Sequence, residues 1–83
     1  LYKAHVYVVL KPGVLDPKGD AVKKSLHVMG YKGVNEVRIG KFIEVWLEAE
    51  SREEALRKVE KMSAELLANP VIEDYRVEIV GGE

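Results

Sequence analysis

The sequence contains no cysteine, no glutamine and no threonine, and only two asparagines. Without cysteine there is no disulfide, thiolate metal site, c-type haem attachment or cysteine nucleophile, and the reducing cytosol is the expected compartment. The longest uninterrupted apolar run, Val6-Tyr7-Val8-Val9-Leu10, falls far short of the roughly 20 residues that span a bilayer. No basic stretch followed by a long apolar one opens the chain, so neither a membrane span nor a secretion signal is expected. An excess of one charge is also missing. Thirteen basic residues face fourteen acidic ones, for a net charge of -1, a poor electrostatic footprint for nonspecific nucleic-acid binding.

What is present is a chain of 83 residues, 47% apolar and 33% charged, the composition of one globular domain covering 1–83. A chain of this size buries only about 60 to 65% of its unfolded surface, so help from oligomerisation is expected. Lys and Glu dominate the charged set, and with few labile amides this is the bias of heat-adapted proteomes.

From Tyr2 onward to Leu10 apolar residues stand at nearly every position, which reads as a central strand apolar on both faces. Lys11-Pro12-Gly13 begins a turn, Asp16 caps a helix with Pro17 at its first position, and Gly30 stops it. Val22, Leu26 and Met29 recur at i, i+4 and i+7 and predict the inward face, while Gly19 in the first turn is a local cost. Residues 34–39 and 42–49 have strand composition, and Gly40-Lys41 between them reads as a hairpin reversal. Ser51 and Glu54 form a capping box ahead of a helix whose stripe is Ala55, Val59, Met62 and Leu66. Glu53 with Arg57 and Glu54 with Lys58 stand at ion-pair spacing along it. Asn69-Pro70 ends this helix, and Tyr75, Val77 and Ile79 alternate with polar residues in a last strand. Strand, helix, strand, strand, helix, strand predicts an α+β, ferredoxin-like βαββαβ sandwich, a four-stranded antiparallel sheet with two helices on one face. Val6, Val8, Leu10, Ile43, Val45, Leu47, Val77 and Ile79 would then face the helices. Tyr7, Val9, Phe42 and Trp46 would lie on the open face, an aromatic surface that predicts an oligomer interface.

Chemistry-bearing constellations are sparse. His5 and His27, the only histidines, lie on different elements without metal-ligand spacing. Glu44 and Glu48 alternate with apolar residues and read as a solvated face rather than an acid/base pair. Ser25, Ser51 and Ser63 are helical or capping residues with no histidine placed to activate them. The glycine-rich phosphate loops are absent, so ATP has no visible seat. The segment 40–47 is loosely similar to an RNA-recognition motif but puts Glu44 and Glu48 where phosphates would pass. An ACT-like regulatory module that binds a small ligand shares the topology and is the alternative reading, with Gly13 after the first strand suiting it in a general way.

Three blocks are more specific: LKPGVLDPKG at 10–19, VRIGKFIEVWLEA at 37–49 and NPVIEDYRVEI at 69–79. In order and spacing they resemble the PurS subunit of phosphoribosylformylglycinamidine synthase over essentially the whole chain. Lys18 stands where a Gln is expected in that family, and the chain opens on Leu1 rather than Met. The resemblance implies a noncatalytic subunit of an ATP- and glutamine-dependent amidating ligase of purine biosynthesis. In that family PurQ releases ammonia from glutamine, PurL binds ATP, Mg²⁺ and the ribonucleotide, and PurS dimers join the two. It implies no catalytic residue, no metal and no cofactor held by this chain, and a homo-oligomer, dimer or dimer of dimers, as its own state. Two turns present themselves for partner contact: Lys11, Pro12 and Gly13 with the Asp16-Pro17 helix start, and the reversal of Arg38, Gly40 and Lys41.

Overall fold

In the computed structural model, which describes residues 1–82, alternation and capping produce three strands and two helices. Strand β1 spans Tyr2–Leu10, helix α1 Pro17–Val28, strand β2 Lys41–Leu47, helix α2 Arg52–Met62 and strand β3 Glu73–Gly82. The sheet order is β2-β1-β3, with β1 central and antiparallel to both neighbours. Because side chains alternate across a strand, Ala4, Val6 and Val8 point to the helix side, where each is 1% exposed or less. Tyr2, Leu47, Ile79, Ala55, Val59 and Ala68 complete the buried core, with Ile43, Val45 and Val77 packed at its margin. No helix among the described residues is long and apolar enough to cross a membrane.

The expected fourth strand and hairpin are not there. Residues 34–40 carry no strand pairing among the described residues, so the sheet has three strands rather than four. The valines explain why: Val34 and Val37 are three apart, out of step with the two-residue period of a strand, and both are half-buried. Other groups answer the segment's backbone. The Val34 carbonyl lies 2.8 Å from His27 Nε2, and the Ile39 N–H donates to Asp16 at 2.7 Å. Gly40 is likewise not a reversal requiring positive φ, since among the described residues only Gly13, Gly30 and Gly82 take that conformation. It is needed for close approach, because a Cβ there would stand 2.5 Å from the Val8 carbonyl oxygen.

Neither helix follows its expected stripe in full. In α1 the only buried residue is Gly19, and Val22 and Met29 are 39% and 69% exposed. The face toward residues 34–37 carries His27, and of the apolar stripe only Leu26 is half-buried. Gly19 itself is no simple cost, because a Cβ would collide with the Val37 carbonyl. Helix α2 begins as predicted, Ser51 Oγ accepting from the Glu54 N–H at 3.1 Å, while Glu54 reaches back to the Glu50 N–H at 2.9 Å rather than to Ser51. Glu54 also pairs with Lys58 at 3.5 Å. The helix then widens into a π turn at Ser63–Leu67, closed by the Ala68 N–H on the Ser63 carbonyl. Ala55, Val59 and Ser63 keep four-residue spacing, so Ser63 rather than Met62 faces inward, and the wider turn after it carries the inward face to Leu67 and Ala68 rather than Leu66. Ser63 is fully buried, its hydroxyl donating to the Val59 carbonyl at 2.8 Å, whereas Leu66 is 83% exposed. Leu66→Lys should therefore change stability by less than about 0.5 kcal/mol, and Leu67→Lys should lower it by about 1 to 2 kcal/mol. Urea melts of the two variants check the register, and the reverse ranking would place the turn elsewhere.

Candidate functional site

The two turns expected to meet partners form one unit. Asp16 sits at the N-cap of α1 in extended conformation, and its Oδ1 accepts the Gly19 N–H at 2.9 Å. Its Oδ2 accepts the Ile39 N–H from the other segment. Arg38 closes the opposite side: Nη1 donates to the Val14 carbonyl at 3.0 Å, and Nη2 donates to those of Lys11 at 3.0 Å and Leu10 at 3.3 Å. A guanidinium offers several donors in a rigid plane, which is why one side chain can gather three carbonyls of a turn. The unit presents Pro12, Gly13, Pro17, Gly40 and Lys41 at its surface, while Asp16 and Arg38 are committed internally. Lys41 lies 3.8 Å from Glu73, and Lys11 3.8 Å from Asp74, extending the unit to the start of β3. Between the turns lies a groove of about 420 Å³ with Leu10, Leu15, Ile39 and Ile72 among its walls. Arg38 spends its donors on backbone, so it offers no free fork to the small anionic ligand that a regulatory reading would want.

The open sheet face is the second surface. Register sets Lys3 opposite Trp46, His5 opposite Glu44 and Tyr7 opposite Phe42, with Glu78 and Arg76 across from His5 and Tyr7 on the other side. Val9, Phe42 and Trp46 are each half or more exposed, as the alternation predicts, and Tyr7 is half-buried. His5 packs edge-on against Phe42 with ring centres 4.7 Å apart, and Phe42 against Tyr7 at 5.3 Å. Cations lie over two of the rings: Lys3 Nζ is 5.0 Å from the Trp46 ring centre, and the Arg76 guanidinium 4.2 Å from that of Tyr7. Each cation is paired, Lys3 with Glu44 and Arg76 with Glu78, both at 3.0 Å. The Lys3 ammonium, by hydrogen bond and by charge, holds the Glu44 carboxyl below the ordinary carboxylate range. Rings already capped by paired cations, beside carboxylates, make a poor platform for nucleic-acid bases. Sequence alternation located these residues but had no means of showing the ion pairs above them.

No cluster of three or more His, Asp or Glu able to hold a metal ion occurs among the described residues, and His5 and His27 remain on separate elements. What the surface offers is contact area on a rigid frame, the properties of a small α+β interaction module. The sequence model of the family described as PurS, phosphoribosylformylglycinamidine (FGAM) synthase, matches residues 3–81. The PurS subunit of Bacillus subtilis is 51% identical over 79 residues, 95% of this chain and 93% of the relative. The crystal structure of PurS from Methanocaldococcus jannaschii superposes with a TM-score of 0.88 at 41% identity, covering all of both chains. A chain in the structure of PurLQS from Thermotoga maritima superposes with a TM-score of 0.86 at 35% identity, covering 95% of this chain and 96% of that one. The chain belongs to the PurS family, subunits of FGAM synthase in purine biosynthesis.

The Asp16 clamp predicts a pH signature. The N–H groups of Ile39 and then Gly19 hold its carboxyl below the usual range. Their contribution is therefore fully present above the unfolded value near about 3.9 and is lost as pH falls through the folded one. Asp16→Asn keeps one acceptor but turns an amide donor toward the other N–H. Its urea midpoint should fall below that of the wild type at pH 7, and the gap should shrink as both are titrated to about pH 2. A gap independent of pH would mean that the ionised carboxylate is not what holds the two turns.

Proposed function

We propose that this chain is the noncatalytic assembly subunit of an FGAM synthase, joining a glutaminase of the PurQ type to a synthetase of the PurL type so that ammonia passes between them. The observation that carries the reading is the full-length likeness to a subunit of the Thermotoga maritima PurLQS structure, on a chain whose distinctive surfaces are built for contact. In this reading the glutaminase liberates ammonia and the synthetase uses ATP and Mg²⁺ to install it, both chemistries lying with the partners. The subunit contributes geometry. A held complex makes ammonia transfer intramolecular, at an effective concentration that separate subunits cannot match. The fused turns around Asp16 and Arg38 supply the partner-facing surface through Pro12, Gly13, Pro17 and Lys41. The open face, with Tyr7, Val9, Phe42 and Trp46, supplies a contact between copies.

Omitting the subunit from reconstituted synthetase and glutaminase should depress glutamine-dependent amidation at least tenfold more than amidation fed with high ammonium. Gly13→Val should give a weaker form of the same pattern. At φ +88 with nothing within 4 Å of a Cβ, that change strains the backbone of the turn without creating a clash. Equal losses with both nitrogen sources would mean that the subunit shapes the synthetase site itself, and the coupling role would be abandoned.

The open face has its own measurement. Trp46→Glu puts a carboxylate where a neighbouring copy would bury it unpaired, at a cost of several kcal/mol. Light scattering at micromolar concentration should then report a smaller species than the wild type. An unchanged mass would assign Trp46 to some other contact.

A further inference from the structure

On the open face, His5 is the side chain whose polar edge is left unanswered. Its Nε2 is shielded from solvent and has no hydrogen-bond partner among the described residues, although Glu44 Oε2 stands only 3.5 Å away. Leaving a buried polar atom unpaired costs free energy, so packing must hold the ring where it is. The imidazole meets Phe42 edge-on with ring centres 4.7 Å apart, and Tyr7 edge-on at 6.3 Å. Register sets it between Glu44 of β2 and Glu78 of β3.

The charges around this ring are already matched to one another. From β1, Lys3 lies 3.0 Å from Glu44 of β2, and the Tyr7 hydroxyl donates to Glu78 Oε1 at 3.2 Å. From β3, Arg76 holds Glu78 Oε2 at 3.0 Å. Helix α2 packs on the other side of the sheet and brings no further charge to the ring. With a neutral imidazole, Lys3 and Arg76 cancel Glu44 and Glu78. A second proton on His5 gives the face one net positive charge and sets up a competition, because Lys3 Nζ and His5 Nε2 approach the same Glu44 oxygen, Oε2. A charge-assisted N–H···O bond closes to about 2.7 to 2.9 Å, so an imidazolium pulls that oxygen toward itself. Lys3, whose Nζ lies 5.0 Å from the centre of the Trp46 ring, then loses the partner that steadies it there.

We propose that His5 is a proton-operated switch of the open face: on taking a second proton it draws the Glu44 carboxylate from Lys3, releases Lys3 from its place over Trp46 and leaves the face positively charged. Histidine is the side chain that ordinarily changes charge between about pH 5 and 8, so mild acidification is enough to work it. Where the open face joins copies of the chain, the added charge loosens that contact, since a charge buried without a partner is costly. This last consequence rests on the open-face contact proposed above, whereas the switch itself does not.

Trp46 is the only tryptophan of the chain and serves as the reporter. Its fluorescence, followed from about pH 8 to about pH 5, should change in a single one-proton step. His27→Gln removes the other histidine and should keep that step, while His5→Gln should lose most of its amplitude. Glu44→Gln leaves the imidazole in place and should lose the step as well, because the carboxylate that moves is gone. No step in the wild type, or a step that survives His5→Gln, overturns the proposal. A step that survives Glu44→Gln overturns it too, since the imidazolium would then be acting on Trp46 directly. Light scattering reads the consequence for the contact: the wild-type mass should fall by about half over the same pH range as copies separate, and that of His5→Gln should not. An equal fall in both proteins, or a constant wild-type mass where Trp46→Glu does lower the mass at pH 8, overturns the link between switch and contact. If Trp46→Glu leaves the mass unchanged while the wild-type fluorescence step is present, the open-face contact fails and the switch stands.

Discussion

The carboxylate of Asp16 is the joint on which the rest of this small structure turns. One oxygen caps α1 and the other takes the N–H of Ile39, more than twenty residues further along. Two backbone donors that a protein interior would otherwise leave unpaired are satisfied by a single side chain. The direction of α1, the path of residues 34–40 beside it and the point at which the chain enters β2 all follow from that double bond. Arg38 then locks the intervening turn by its carbonyls. In a chain this short the core alone has little stability to spare, so a polar joint at the edge of the sheet has large consequences for shape.

Much of this is legible in the amino-acid order, and the differences have separate physical causes. Alternation along 2–10 identified the central strand and its two faces, Asp16-Pro17 and Ser51 marked both helix starts, and the open-face residues emerged where the pattern put them. Residues 34–39 have the composition of a strand, while the three-residue spacing of Val34 and Val37 fits a brace against a helix. On α1 periodicity marks an apolar face, but it does not report that Val22 and Met29 on that face stay exposed. Beyond Val59 the inward face runs through the polar Ser63, and a π turn starting there leaves Leu66 exposed, an effect of backbone hydrogen bonding that no apolar pattern encodes. The two turns read as separate features in the sequence, and their union through Asp16 and Arg38 lies outside what linear spacing can show.

The glycines illustrate how the same residue type answers to different physics. Gly13 occupies open space at positive φ, whereas Gly19 and Gly40 are required because carbonyls of Val37 and Val8 pass too close for any side chain. The first is a demand of local conformation and the other two are demands of long-range approach. Only the former can be anticipated from a turn sequence such as Lys11-Pro12-Gly13.

The ion pairs over the aromatic face bear on discrimination. Lys3 and Arg76 rest on Trp46 and Tyr7 with their charges already answered by Glu44 and Glu78 in the same chain. A surface that closes over these rings meets no unanswered charge and can itself be neutral. One that brings an acid or a base of its own must compete with a bond the chain has already made, and bears the desolvation of the group it displaces. Ubiquitous charged surfaces in a crowded cell are thereby turned away from an exposed tryptophan, without any steric guard.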